Sequence, residues 1–125
     1  MTLLPHNHNM SAVIGIYGGR EDNVFWRRLS DPDGPALEAA GADSLGVGQA
    51  ATLGPDIIHS VANPIRKLTP AIHVYGGDFF NPPTPRAQWN HETLREEAWD
   101  MDNTRKVFRQ ADARYQAGLA AGAED

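Results

Sequence analysis

The sequence contains no cysteine, and that one absence removes several functions. Disulfide staples, zinc–thiolate centres and cysteine nucleophiles are excluded, so any metal must be held by histidine, carboxylate or water. No apolar run approaches the roughly 20 residues needed to cross a bilayer. Positive charge is scarce: 11 Lys and Arg against 16 Asp and Glu leave a net charge of −5. That balance gives no basic face for nucleic acid or an anionic membrane, and it suits a small-molecule ligand better. The opening Met-Thr-Leu-Leu-Pro-His has neither the basic nor the apolar part of a signal peptide, which makes the cytoplasm the expected location.

The sequence is rich in turn residues. Its 12 glycines and 9 prolines fall in clusters between short β-branched and aromatic runs, the pattern of a mainly β domain. Strands are predicted at 10–17 and 23–28, joined by a hairpin through Gly18-Gly19-Arg20-Glu21-Asp22. Residues 30–43 read as a long loop. Strands resume at 44–53, 57–62 and 71–75. Short strands at this spacing predict a sandwich or barrel over residues 1–80. The remainder, 81–125, is expected to be a linker, stiffened by Asn81-Pro-Pro-Thr-Pro85, and a C-terminal helical segment. Over 102–116, Val107, Phe108, Ala111 and Tyr115 share one helical face. Asp102 is the expected N-cap, the helix is expected to pack on the outside of the barrel, and the tail from Ala117 to Asp125 is expected to fray.

Five histidines carry the functional reading. His6 and His8 are two apart and lead into a strand, so on an extended chain they share a face and are able to grip one ion. His59 shares one strand face with Ile57 and Val61, and an imidazole among inward apolar side chains needs a partner. A lone inward histidine is more often a hydrogen-bonded core residue; the His-x-His pair in the same small domain favours ligation. His73 and Tyr75 share a strand face and are candidates for the same interior, or for a Tyr–His pair satisfied within the core. His91, after Asn90, reads as surface.

With these residues in view, the chain resembles the cupin, or double-stranded β-helix, superfamily. His6-Asn-His8 before a hydrophobic strand and Gly18-Gly19 resembles the latter part of the first cupin motif. Gly54-Pro-Asp-Ile-Ile-His59-x-x-x-Asn63 resembles the second. Ala71-Ile-His73-Val-Tyr75 is similar to the Ser-x-His-x-Tyr strand of cysteine dioxygenase and related thiol dioxygenases. The resemblance covers residues 5–80. It implies a jelly-roll barrel and a mononuclear Fe(II), or another divalent metal, on His6, His8 and His59. It implies O2 and a small anionic thiol as substrates, with a sulfinate as product. In that scheme Tyr75 donates a hydrogen bond to the bound ligand and His73 orients Tyr75.

Several positions depart from the family pattern. The usual glutamate ligand falls at Ala12 or Val13, leaving three neutral imidazoles. Ala71 replaces the serine, and Val13 matches a cysteine that some members crosslink to tyrosine. The strands and substrate-binding arginine that precede the His-x-His in relatives have no counterpart before His6. The barrel is therefore expected to be incomplete, with an open edge that a homodimer would cover. Arg27 or Arg28 is either a replacement arginine or a surface charge. The alternative to a dioxygenase is a non-catalytic or truncated cupin that binds a metal or ligand.

Overall fold

A computed structural model describes residues 1–122. Nine strands and one helix follow in the order β1 (Thr2–Asn7), β2 (Ala12–Ile16), β3 (Arg20–Arg28), β4 (Leu37–Gly46), β5 (Ala50–Leu53), β6 (Ile58–Ala62), β7 (Ala71–Tyr75), β8 (Ala87–Trp89), β9 (Glu96–Ala98) and α1 (Met101–Ala120). They build two antiparallel sheets, ordered β4-β3-β6-β1-β8-β9 and β5-β2-β7. The chain passes back and forth between the sheets, a layout compatible with a cupin-like fold. No closed barrel is formed among the described residues. The second sheet has only three strands, and its edges β5 and β7 have no partner among the described residues.

Strand alternation sets the core. On β2, Ala12, Ile14 and Ile16 point inward to Leu45 and Leu53, while Val13 faces out. A second apolar cluster of Leu37, Ile58, Ala87 and Trp89 lies around the other face of β6. β6 therefore sends Ile58 to one cluster and His59 to the opposite side.

Three expectations change. The Gly18-Gly19 segment is not a hairpin, because β2 and β3 belong to different sheets. Gly19 adopts φ 69°, and a Cβ there would meet the Leu68 carbonyl oxygen at 2.7 Å. Gly19→Ala should therefore lower stability by roughly 1–3 kcal/mol, read from the denaturant midpoint. Half of the loop expected over 30–43 is strand β4, held against β3 despite its Ala and Gly content. The segment after residue 80 is more than linker and helix, since β8 and β9 extend the larger sheet.

The helix starts two residues earlier than expected and is capped by Asp100, not Asp102; the Asp100 carboxylate accepts from the Asn103 amide. It has no buried residue. It does not lie against the outside of a barrel; Phe108, Ala111 and Tyr115 line a cavity mouth instead. The tether explains this: Gln88, on the inner face of β8, accepts from the Asp100 amide at 3.1 Å and fixes where the helix begins. Of the tail expected to fray, the helix includes residues up to Ala120, while residues 123–125 lie outside the described part. Among the described residues no helix is long and apolar enough to cross a membrane.

Candidate metal centre

One rung of the larger sheet carries the site. Phe25 on β3 faces His59 on β6, His59 faces His6 on β1, and His6 faces Gln88 on β8. Directly opposed residues of antiparallel strands share a face; the two central members, His59 and His6, line one cavity, while Phe25 packs against the apolar core beside them.

β1 reaches this register through a bulge. Leu3 pairs with Val61 and His6 with His59, so three steps on β1 match two on β6. Pro5 sits inside the irregularity, where a residue without an amide hydrogen costs the ladder nothing. The bulge puts Leu3 and His6 on the same cavity wall. It also aims the Leu4 carbonyl back at His6, whose Nδ1 lies 2.7 Å away. His8 lies beyond the strand, just before Asn9 turns the chain with φ 56° toward β2.

The imidazoles of His6, His8 and His59 are all buried, and each offers a ring nitrogen within 4.8 Å of the others. The ring centroids stand 4.7 to 5.2 Å apart. A carbonyl oxygen only accepts, so the contact to Leu4 makes His6 Nδ1 a donor and leaves its Nε2 with a free lone pair. The same holds for His59, whose Nδ1 donates to Asn23 Oδ1 at 2.7 Å. His59 Nε2 is buried and has no hydrogen-bond partner among the described residues. Buried polar atoms nearly always have one, so this orphan fits a ligand that the protein does not itself supply.

Electrostatics favour neutral rings. Burial lowers His6 from 6.5 to about 4, against the opposing pull of the Leu4 carbonyl. Burial and then the charge of His6 lower His8 to about 3. Burial, then His6 and His8, lower His59 to about 2. Three close neutral imidazoles are a donor set for a divalent ion such as Fe, Zn, Ni or Cu, and the set does not choose among them.

Asn23 was not singled out from the sequence, and nothing in its local pattern marks it. Asn23→Ala would leave His59 Nδ1 without an acceptor and free the ring to turn. Metal affinity should fall roughly 10–100-fold while the fold persists, read by competition against a chromophoric chelator.

The other candidates divide. Tyr75 packs on His8 with centroids 5.2 Å apart and lines the cavity. His73 is exposed and places Nδ1 3.1 Å from the Tyr75 hydroxyl. Arg27 pairs with Glu38 at the surface, and Arg28 lies over Trp89 on the other face, so neither reaches the cavity. His91 is exposed, as expected.

The arginine at the site is Arg86, which sequence reading missed. Its guanidinium lies over the rings of Phe79 and Trp99, at 4.5 and 4.2 Å. Among the described residues it forms no salt bridge. The two asparagines interleaved with the histidines bring it there. The Asn7 carbonyl accepts from Arg86 Nε at 3.1 Å, and Asn7 Oδ1 accepts from the Ala87 amide. Asn9 donates to the carbonyls of Thr84 and Pro85. In His6-Asn7-His8-Asn9, the histidines thus build the cluster while the asparagines fasten the segment just before β8 that supplies the cation.

The cavity holds about 1320 Å³ and opens beneath α1. Trp99 closes one side, its ring 5.3 Å from His6, with Nε1 buried and unpartnered among the described residues. No protein-family model matches the chain, and no curated protein matches it either.

Proposed function

We propose that this protein is a mononuclear metal-dependent oxidoreductase of the thiol dioxygenase kind, with Fe(II) on His6, His8 and His59, O2 as co-substrate and a small anionic thiol as substrate. The observation that carries the reading is the unpartnered, buried Nε2 of His59 beside two further buried imidazoles within ligating reach. Bound there by neutral donors, iron would keep its full double charge and supply an electrophilic centre for sulfur and oxygen.

The protein's own groups have separable tasks. Arg86, without an internal counter-charge, attracts the substrate's carboxylate, and its stacking on Phe79 and Trp99 holds the guanidinium plane. Burial raises the Tyr75 phenol, which therefore keeps its proton and acts as a hydrogen-bond donor toward a ligand beside His8. His73 restrains the Tyr75 hydroxyl. Leu3 and Phe79 give the cavity apolar walls that limit water around the reacting groups.

Metal analysis of purified protein, followed by oxygen uptake across a panel of thiol acids, tests this reading. About one iron per chain and thiol-dependent uptake are expected; a metal-free protein that gains no activity on iron loading sinks it. Arg86→Met should raise the KM for a thiol carboxylate about a hundredfold without lowering metal content.

A second reading is a metal- or ligand-binding module without turnover. It is favoured by Ala71, which ends the hydrogen-bond relay at His73, and by the exposure of His73. Stoichiometric metal with no oxygen uptake on any thiol would select it. For either reading the unpaired edge of β7 suits the expected homodimer.

A further inference from the structure

Three buried side-chain atoms lack a hydrogen-bond partner among the described residues: His59 Nε2, Trp99 Nε1 and Glu21 Oε2. All three residues line the same cavity. The first is accounted for by a metal. The second is a donor beside Arg86, at the end of the cavity that suits an anion. Glu21 remains, and nothing in the proposed chemistry uses it.

Glu21 is an expensive residue where it stands. It is 5% exposed, faces the buried Leu45 across β3 and β4, and shares its strand face with Asn23. No arginine or lysine pairs with it among the described residues, since the adjacent Arg20 turns outward to Asp22. A carboxyl with one oxygen unpartnered and no counter-charge in apolar surroundings is costly, and a fold that needed only packing would carry leucine or methionine there. Burial raises its pKa, with Asn23 acting in the opposite sense. A donor arriving with a ligand would relieve both the missing hydrogen bond and the missing charge.

We propose that Glu21 is a ligand-binding residue that receives a protonated amine, so that the cavity takes a small zwitterion with its anionic end toward Arg86 and Trp99 and its ammonium toward Glu21. The clause about the anionic end rests on the proposed function; the assignment of Glu21 rests on its own burial and orphaned oxygen.

Two measurements test this. The first is stability. Glu21→Met should melt higher than the wild type, because it removes an uncompensated carboxyl from a buried site. If it melts lower or fails to fold, the carboxyl serves the fold and the proposal is overturned. The second is calorimetric titration of the Co(II)-loaded protein with L-cysteine and with 3-mercaptopropionate, which differ only in the α-ammonium. The wild type should prefer cysteine about tenfold or more, and Glu21→Gln should lose that preference. A preference retained by Glu21→Gln, or absent in the wild type, overturns the role of Glu21 and leaves the metal site standing. A wild type that takes up no cobalt overturns the metal reading instead, and the melting of Glu21→Met then decides Glu21 by itself.

Discussion

Replacing His59 by alanine should abolish stoichiometric metal binding while leaving a folded chain. A structural four-ligand zinc site contributes roughly 10–16 kcal/mol in all, so one ligand is worth about 3 kcal/mol or more, and affinity should fall on the order of 10²- to 10³-fold. The fold tolerates the change because His59 belongs to neither apolar cluster, and the one hydrogen bond of its side chain among the described residues is to Asn23. Removing the ring also removes its own orphaned Nε2 from the interior. Metal content after dialysis, with circular dichroism as the control, reads both halves of the expectation. Metal retained at wild-type stoichiometry by a folded His59→Ala protein would remove this residue from the ligand set, and with it the reason for a site at this rung of the sheet.

Acid should unfold the metal-free protein abruptly. In the unfolded chain each histidine titrates near 6.5, whereas in the fold His6, His8 and His59 are held down to about 4, 3 and 2. A folded pKa below the unfolded one means the unfolded state takes up protons first as pH falls. The stability of the fold is therefore undiminished by these groups above about pH 6.5 and is lost below it. Three protons give a slope of roughly 4 kcal/mol per pH unit, and a domain stable by about 5–10 kcal/mol would unfold within about two units. Circular dichroism from pH 7 to 4 measures this, and proton uptake on unfolding gives the count directly. His59→Ala should shed about one of the three protons from that slope. Bound metal should shift the transition to lower pH, because the ion and protons compete for the same lone pairs. A metal-free protein that stays folded to pH 4 would show that the rings are solvated rather than buried together.

The two results are linked through one geometry. The same burial that keeps the imidazoles unprotonated makes them good ligands at neutral pH and makes the empty cluster acid-sensitive. Neither effect depends on which divalent ion is bound.

Much of the candidate site was legible because it is written in short-range pattern. The His73–Tyr75 face and the opposite faces of Ile58 and His59 follow from the two-residue period of a strand, while His8, two residues after His6, joins the cluster from just beyond β1. β7 lies where its Gly76-Gly77 boundary placed it. Local pattern misled where pairing was long-range. Residues 37–43 look like loop by composition, yet β3 recruits them as a strand. The three residues of β8 are too few for any periodicity to show, and they become a strand only because β1 lies beside them.

Arg86 shows the limit most clearly. It follows a proline-rich stretch and has no local signal of function. It stands beside the histidines because Asn7 and Asn9 hold the backbone around it from 75 to 80 residues away. Asn23 reaches His59 across 36 residues in the same way.

By itself, the sequence determined the chemistry on offer: no thiolates, three histidines able to share an ion, a mainly β chain and a C-terminal helix. Alternation and turn residues act over a few positions, so those features needed no knowledge of partners. Tertiary structure decided which strands meet, where β1 bulges to turn His6 inward, and which cation and carboxyl share the cavity. A strand's two-residue period fixes which face a side chain takes but not which strand it will lie against, and that choice is made only when distant segments pair.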